Sequence, residues 1–404
     1  MSNFLLYHGL GIRGYEHVRA DDCGGRLVFT IRQRREDLRC AHCGSARVFS
    51  KGRVEREWRS VPLGHKPVFV RWAVPRVLCL DCGLTRQVRI PFADEKVRYT
   101  KGFARYALGL SRHMTIQAVA AHLGISWDVI KELLKRHLLR HYAQPRLKHL
   151  RRIAIDEISI GKGHRYLTVV LDLDSGAVVF QGDGRGSEAL RPFWKRLRCS
   201  RARVQAVAID MSPAYWRAVR ENLPKALVIF DHFHIIQLFN HELSELRREL
   251  YREATDQLDK KVLKGTRWLL LKNPENLDQA KREPERLREA LKLNESLAAG
   301  YYLKEKLRQL WDEPDKRCAA AALDVWILEA EYSGIRRLMK LARTLQVHRQ
   351  GILAWYDHPI TTGPLEGTNN KIKTMKRQAY GYRDLQFLKL KIFAIHEAQY
   401  ALVG

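Results

Sequence analysis

Four of the seven cysteines occur in two matched pairs whose spacing suits metal binding. Cys40 and Cys43, and likewise Cys79 and Cys82, are separated by two residues and followed by glycine. Two intervening residues let one tight turn aim both sulfurs at one ion, and glycine permits the positive φ that such a turn commonly needs. Redox-active dithiols are the alternative, but they rarely come as two matched pairs. We therefore expect a closed four-thiolate site for structural zinc.

Three carboxylates occupy positions that favour metal-dependent chemistry. Asp156 and Asp210 each end a short apolar run, the place where ligands gather in open α/β sheets. Glu366 is the one acid in the cationic stretch from His358 to Arg383. Converging carboxylates repel one another, and a hard cation such as Mg²⁺ compensates them. Two such ions, about 3.5–4 Å apart, can support phosphoryl transfer.

Residue type alone does not single out these three acids, because most single carboxylates are solvated or paired. Other acids occur nearby, namely Glu157, Asp172, Asp174 and Asp183. Asp172 and Asp174 are most simply interpreted as hairpin-edge and turn residues. The choice of a catalytic set therefore needs a further observation.

The charge balance predicts a polyanionic partner. Lys plus Arg is 72 and Asp plus Glu is 44, which gives a net charge of +28. Such a charge is most readily explained by nucleic acid, although a generically basic protein is the alternative. After Glu366, the expected phosphate-contacting residues are Lys371, Lys373, Lys376 and Arg377. No signal peptide or apolar run of about 18 residues is evident, so we expect a cytoplasmic protein without a membrane segment.

Residues 114–138 show the spacing of a helix-turn-helix. A small residue, Ala120, lies in the first helix, Gly124 lies in the turn, and Ser126 can cap the second helix. With the basic charge, this pattern predicts DNA binding through Ser126, Trp127 and Lys131. An ordinary helical hairpin is the alternative.

From Arg151 onward the pattern changes to short apolar strands. Three consecutive strands precede a helix, a strand, a helix and a strand that carries Asp231 and His234, which indicates an α/β layer. Residues 240 to about 350 are charged, amphipathic and almost free of strand signals, as in a helical insertion. Glu366 follows this insertion.

Several stretches, in this order, resemble the DDE transposases of bacterial insertion sequences, most closely the ISL-three (ISL3) family. They are CAHCG with CLDCG, IDEISIGKGHRYLTVVLDLDSG, AIDMSPAYW, FDHFHI, GTRWLLLKNPENL and GPLEGTNNKIKTMKRQAYGYRD. The resemblance extends from Cys40 to about Arg383. It implies a ribonuclease-H-like catalytic domain in which Asp156, Asp210 and Glu366 bind Mg²⁺ or Mn²⁺.

The resemblance also implies the reaction and its partners. The expected DNA partners are the terminal inverted repeats of a mobile element and target DNA. Hydrolysis at the element end would give a 3′ hydroxyl that attacks target DNA, without a covalent protein–DNA link. We expect a nucleoid-associated bacterial protein that works as a homodimer or larger homo-oligomer. A non-mobile endonuclease on the same fold and a catalytically silent DNA-binding regulator remain as alternatives.

Four further positions match the family but leave their roles open. His234 is expected either to contact the scissile strand or to stabilise the fold. Asn369 and Asn370 are expected to cap the helix that carries Glu366, with DNA contact as the alternative. Trp268 is expected to be a buried helix residue, with stacking on a flipped base as the alternative.

The expected architecture is therefore multidomain. It combines a small zinc-binding β module, a helical helix-turn-helix segment and an α/β ribonuclease-H-like catalytic domain with an all-helical insertion. The expected divisions are residues 1–95 (zinc module), 96–150 (helix-turn-helix and basic linker), 151–239 (first catalytic part), 240–355 (insertion) and 356–404 (return to the catalytic domain).

Overall fold

The computed structural model describes residues 4–161 and 163–396, which form two compact units. The first unit contains residues 4–141 and 378–390, and the second contains residues 142–377 and 391–396. No helix among the described residues is long and apolar enough to cross a membrane.

The first unit is built on a five-stranded sheet. Its strands are β1 (Glu16–Cys23), β2 (Arg26–Arg32), β3 (Val48–Leu63), β4 (Lys66–Cys79) and β5 (Thr85–Gln87). The order is β1-β2-β4-β3, and β5 pairs with the far end of β4. The predicted alternation from Val68 to Val74 is confirmed, because Val68, Val70, Trp72 and Val74 are buried on one face of β4. The long hairpin of β3 and β4 joins the two cysteine pairs.

Three helices follow this sheet in the first unit. They are α1 (Lys101–Leu110), α2 (Ile116–Leu123) and α3 (Trp127–Tyr142). Thr115 caps α2 by accepting from the Ala118 amide, and Gly124 ends α2 in the left-handed conformation, with φ 59°. Arg59 of β3 donates to the carbonyl of Leu123, so the last turn of α2 is attached to the sheet.

The second unit contains a mixed sheet interleaved with helices. In chain order its elements are β6 (Arg152–Gly161), β7 (Arg165–Asp172), β8 (Val178–Asp183), α4 (Arg191–Ser200), β9 (Ala206–Ile209), α5 (Pro213–Asn222) and β10 (Leu227–Phe230). The strand order is β10-β9-β6-β7-β8. β6, β9 and β10 are parallel, whereas β7 and β8 form antiparallel pairs at the other side. The predicted succession of strands and helices is therefore observed.

The expectation that a strand carries Asp231 and His234 is wrong. β10 ends at Phe230, and α6 begins at His232, with Asp231 between them. The main-chain amide of Asp231 makes the last bond to Ile209 of β9 before the chain turns into the helix. The helix is favoured because Ile235, Phe239 and other apolar residues recur at helical spacing on its buried face.

Helices continue to the end of the described chain. They are α6 (His232–Glu253), α7 (Gln257–Gly265), α8 (Arg267–Leu271), α9 (Glu283–Leu293), α10 (Glu295–Arg308), α11 (Lys316–Tyr332), α12 (Arg336–Leu353), α13 (Gly363–Gln378) and α14 (Leu385–Phe393). One hydrophobic core extends from the sheet of the second unit into the helices up to α12. The helices from α7 to α12 are thus packed on the same core as the strands that carry the acids.

Gly351 of α12 shows how closely the insertion packs on the sheet. A β-carbon at Gly351 would lie 2.4 Å from the ring of Phe230, at the end of β10. Gly351→Ala is therefore expected to lower the free energy of unfolding by about 1–3 kcal/mol through overpacking. Gly367 of α13 has no atom within 4 Å of the corresponding position, so Gly367→Ala should raise stability by about 0.5–1 kcal/mol. Urea unfolding of both variants measures the difference, and equal effects would contradict this packing.

Candidate functional site

Asp156 and Asp210 lie beside each other at the carboxyl edge of the parallel strands. Ala154 of β6 pairs with Ala208 of β9, so the residues two positions further on, Asp156 and Asp210, share a register. One oxygen of Asp156 accepts from the Glu157 amide, at 2.7 Å. One oxygen of Asp210 accepts from the Ser212 amide, at 3.0 Å. The strand-end prediction is correct for Asp210, which follows the last residue of β9, and wrong for Asp156, because β6 continues past it to Gly161 in its pairing with β7.

Burial makes both of these carboxyl groups costly to ionise. It raises the pKa of Asp156, and the neighbouring Asp210 and Glu157 charges raise it further. Burial also raises the pKa of Asp210. Paired carboxyl groups that are penalised in this way are stabilised as anions by a nearby cation. His234 can supply such a cation, because its positive charge lowers the pKa of Asp156 and of Asp210.

A third acid, Asp231, lies next to this pair. It follows Phe230, which pairs with Ile209, so it is level with Asp210 on the adjacent strand. Asp231 is only 2% exposed, and its Oδ2 accepts from His234 Nδ1 at 3.1 Å and from Thr362 Oγ1 at 2.6 Å. Although burial would raise the pKa of Asp231, these two bonds lower it. Asp231 in turn raises the pKa of His234, which favours its cationic form.

Two hydrogen bonds attach α13 to this edge of the sheet. Thr362, just before the helix, donates to Asp231, and Asn369 donates from Nδ2 to Asp156 Oδ2 at 2.9 Å. The expectation that Asn369 and Asn370 cap the helix is wrong, because both lie inside α13. Asn369 is 4% exposed and faces Asp156, whereas Asn370 is exposed.

Glu366 lies between these two attachment points, in the first turn of α13. It is three residues before Asn369 and therefore projects from the same side of the helix. Its side chain is exposed. Among residues 4–161 and 163–396, no three acids including Glu366 place their carboxylate oxygens within 4.8 Å of one another. The structure thus puts Asp156 and Asp210 side by side and Glu366 on the adjoining helix, one turn from Asn369.

A hydrogen-bond network behind Asp156 had no signal in the sequence. Tyr215 of α5 donates to Glu157 Oε2 at 2.6 Å, and its oxygen lies 3.2 Å from Thr168 Oγ1. The Gly186 amide also donates to this tyrosine oxygen. Burial, followed by the bond to Glu157, raises the pKa of Tyr215, so the phenol stays protonated and can donate. Through this network, helix α5 holds the side chain of Glu157, the residue that follows Asp156 in β6.

The basic residues of α13 differ in their surroundings. Lys373 and Arg377 are exposed, as expected for phosphate contacts. Lys371 is also exposed, and its Nζ lies 3.3 Å from Nδ1 of His396. Lys376 instead donates to the carbonyl of Ser159 in β6, and burial lowers its pKa. Lys376 therefore contributes to the attachment of α13.

Trp268 is not a buried core residue, contrary to expectation. It is 65% exposed on α8, and the Arg267 guanidinium lies 4.8 Å from the centre of its ring. Lys304, which is 1% exposed, donates to the carbonyls of Leu270 and Lys272 at the end of this short helix. The buried side of α8 is thus bonded to Lys304, while Trp268 lies on its exposed side.

The four paired cysteines form a compact cluster at the end of the β3–β4 hairpin. Their sulfur atoms all lie within 4.8 Å of one another, with Cys40 and Cys82 at 3.7 Å and Cys43 and Cys79 at 3.5 Å. The glycine that follows each pair has positive φ, 77° at Gly44 and 70° at Gly83. Amides of Cys43 and His42 lower the pKa of Cys40 to about 6, which favours its thiolate. The pKa of Cys43 is raised instead, because the lowering by the Ser45 amide is outweighed by the Cys79 thiol, by burial and by the Cys40 thiol. The geometry is that of a structural zinc site.

α3 is the second helix of the expected helix-turn-helix, and its outer surface carries two of the predicted DNA contacts. Ser126 directly precedes the helix and is exposed, and Trp127 is 41% exposed. Lys131 Nζ lies 5.3 Å from the centre of the Trp127 ring and 3.3 Å from Asp384. Lys135 pairs with the same carboxylate at 2.9 Å. Two cations of this helix therefore share one counter-ion.

Zinc binding is tested by replacing one cysteine of the cluster. Cys79→Ser is expected to lose the bound zinc and to lower the melting temperature, because a hydroxyl does not replace a thiolate ligand. Cys199→Ser, at an exposed and isolated cysteine, is the matched control and should retain one zinc per chain. Atomic absorption measures the metal content. Equal zinc in both variants would rule out the site.

The Asp384 ion pairs give a second prediction. Although burial would raise the pKa of Asp384, bonds from Lys135, the Phe387 amide and Lys131 lower it to about 2. Asp384→Asn keeps an N-cap for α14 but removes the counter-ion, so DNA affinity should rise and its salt dependence steepen, by about 0.9 in log–log slope per added phosphate contact. Fluorescence anisotropy at several salt concentrations measures both. Asp324→Asn, which breaks an ion pair with Arg349, is the control. Unchanged or weaker binding by Asp384→Asn would contradict a DNA-facing role for these lysines.

Comparison with known proteins identifies matching segments along nearly the whole chain. Residues 153–392 match the ISL3 transposase family, and residues 88–138 match the helix-turn-helix domain of transposase family ISL3. Residues 37–82 match the zinc-finger of transposase IS204/IS1001/IS1096/IS1165. The zinc-finger and helix-turn-helix predictions are thereby confirmed.

Two curated relatives align over almost their full length. The transposase for insertion sequence element IS1001 of Bordetella parapertussis is 33% identical over 390 residues, covering 95% of this chain and 96% of the relative. The transposase for insertion sequence element IS1557 of Mycobacterium tuberculosis is 32% identical over 401 residues, covering 93% of this chain and 89% of the relative.

A solved structure, the Drosophila P element transposase strand transfer complex, aligns with 74% of this chain and 92% of its own. The two chains share 11% sequence identity, and the TM-score of 0.39 is too low to assign a shared fold. The sequence matches are decisive by themselves. Since one family covers more than half of the chain and relatives above 30% identity align with nearly all of it, the chain belongs to the ISL3 family of transposases.

Proposed function

We propose that this transposase cuts and joins DNA at the terminal inverted repeats of its element through a metal-dependent centre of Asp156, Asp210 and Glu366. The observation that carries the proposal is the pair of buried carboxylates in register on β6 and β9, beside the helix that bears Glu366. A ribonuclease-H-like arrangement of the second unit is part of this proposal. Its support is the antiparallel β6–β7–β8 half joined to the parallel strands β9 and β10.

The residues at the edge of the sheet fit a hard divalent cation. All the proposed ligand atoms are carboxylate oxygens, the type that Mg²⁺ and Mn²⁺ prefer. Burial disfavours the anionic forms of Asp156 and Asp210, and a bound cation would offset that cost. Glu366 would join them from α13. When bound, two such ions would activate the attacking oxygen and stabilise the leaving oxygen at the scissile phosphate.

The surrounding groups would position the DNA strand. His234 is held by Asp231 and carries a raised pKa, so it can present positive charge beside the two aspartates. We propose that it contacts the scissile strand, since the same bond that fixes its ring also favours its cationic form. Lys371, Lys373 and Arg377 would bind backbone phosphates next to Glu366. These contacts orient the DNA without reading its sequence.

End recognition is proposed for the first unit. The zinc module and α3 are the proposed DNA-contacting parts, with exposed Ser126 and Trp127 and with the half-buried cation of Lys131 beside Trp127. We propose the division into residues 1–95, 96–150, 151–239, 240–355 and 356–404 for these tasks. Two element ends must be processed together, so we propose that the active form contains at least two copies of the chain.

The proposal is tested by cleavage of duplex DNA from the flanks of the coding region. The wild-type protein should cut at the inverted-repeat boundary with Mg²⁺ and not with EDTA. Asp156→Asn and Glu366→Gln should bind the same DNA within about twofold of wild type but leave it uncut, because each removes a metal ligand rather than a phosphate contact. Asp172→Asn, at a carboxylate of the β7 turn, is the control and should cut normally.

Three outcomes would overturn the proposal. Normal cutting by a folded Asp156→Asn or Glu366→Gln protein would remove that residue from the metal centre. Cutting of a scrambled end as efficiently as the true end would indicate an endonuclease without element specificity. Tight, metal-independent binding with no cutting by the wild type would indicate a DNA-binding regulator.

A further inference from the structure

Asn369 occupies an unusual position for an amide in the middle of a helix. It is 4% exposed, and its Nδ2 donates to Asp156 Oδ2 at 2.9 Å across 213 residues of sequence. The other oxygen of Asp156 accepts from the Glu157 amide. Each carboxylate oxygen of Asp156 therefore receives one hydrogen bond, which fixes the plane of the group and leaves lone pairs on both oxygens for a cation.

The orientation of the Asn369 amide follows from this contact. An ionised carboxylate only accepts hydrogen bonds, so the NH₂ group must face Asp156 and the carbonyl oxygen must point elsewhere. That carbonyl oxygen, Oδ1, is buried and has no hydrogen-bond partner among the described residues. A buried carbonyl without a donor is disfavoured, and such atoms in native proteins commonly accept from a bound water or ion.

We propose that Asn369 is a positioning residue of the metal centre: its Nδ2 holds the carboxylate of Asp156, and its Oδ1 accepts a hydrogen bond from water on the divalent ion that Asp156 binds. Mg²⁺ and Mn²⁺ keep several waters when carboxylates bind them, and neighbouring polar groups orient those waters. The inference rests on the proposed role of Asp156 as a metal ligand. It adds that α13 brings two groups to the centre, Glu366 and Asn369, one turn apart.

A purely structural role for Asn369 is the alternative, and the structure supplies a variant that separates the two. Thr362 makes the other attachment of α13, to Asp231. Thr362→Val removes that attachment as Asn369→Leu removes the Asn369 bond, and both should lower the melting temperature. Asn369, unlike Thr362, combines an unpaired buried oxygen with a bond to a proposed metal ligand. A third variant, Asn370→Leu, makes the same substitution at the exposed neighbouring position and leaves the bond between Asn369 and Asp156 in place.

The test is Mn²⁺ affinity of the zinc-loaded, full-length protein, measured by electron paramagnetic resonance of free Mn²⁺. Asn369→Leu should weaken Mn²⁺ binding about 10-fold or more, the usual effect of removing a group that orients a metal ligand. Thr362→Val and Asn370→Leu should remain within about twofold of wild type. The Mg²⁺ concentration for half-maximal cleavage should rise in parallel for Asn369→Leu, with DNA affinity unchanged.

The outcomes separate this inference from the proposed function. If Asp156→Asn abolishes Mn²⁺ binding but Asn369→Leu leaves it unchanged, the metal centre stands and the role of Asn369 is overturned. If Asn369→Leu and Thr362→Val weaken Mn²⁺ binding equally, Asn369 serves only to attach α13 to the sheet, and its role at the metal centre is overturned. If Asp156→Asn itself retains wild-type Mn²⁺ affinity, both the centre and the Asn369 role are overturned.

Discussion

The attachment of α13 to the carboxyl edge of the parallel strands is the constraint on which the rest of the second unit depends. Side-chain bonds from Thr362 to Asp231 and from Asn369 to Asp156 contribute to it beside the two acids, and Lys376 adds a bond to the carbonyl of Ser159. The acceptors of the first two bonds are buried carboxylates, and hydrogen bonds to charged acceptors are the strong ones. More than a hundred residues of helical insertion separate β10 from α13, so sequence proximity does not place Glu366 near the aspartates. These bonds do.

The same edge concentrates negative charge in a strongly basic protein. Asp156 lies within β6, whereas Asp210 and Asp231 directly follow β9 and β10, and the three acids are stabilised in two different ways. Oδ2 of Asp231 accepts from His234 and Thr362, and the pKa of Asp231 is lowered by these bonds. Asp156 and Asp210 keep raised pKa values because burial outweighs their hydrogen bonds. Asp231 therefore orients His234 and Thr362 as an anion, whereas Asp156 and Asp210 are the two acids whose anionic forms a bound cation would stabilise.

Much of this arrangement could be predicted from the sequence because it depends on local patterns. The C-x-x-C-G repeats, the turn at Gly124 and the acids at the ends of apolar runs are determined by short-range geometry. The boundary at Asp231 was missed because apolar residues lie on both sides of Asp231 and His232, and alternation of polar and apolar residues there is also compatible with a strand. The exposure of Trp268 was missed because periodicity does not show which face of a short helix meets the core.

Contacts between distant segments had no sequence signal at all. Asn369 reaches Asp156 because α13 has one particular rotation about its axis over the sheet, which is set by buried residues such as Leu365 and Ile372. Lys135 meets Asp384 across 249 residues. Such contacts arise from tertiary packing, and residue types at the two positions are common. The family resemblance indicated the acids, whereas the groups that hold them became evident only in three dimensions.

The most direct test of the account is a crystal structure of the protein soaked with Mn²⁺, with the ion located by its anomalous scattering. The account predicts a peak between Asp156 and Asp210, about 2.1 Å from their carboxylate oxygens, with the Glu366 carboxylate turned toward it. A peak elsewhere, or one that Asp156 and Asp210 share with no approach of Glu366, would contradict the assignment of these three residues to one centre.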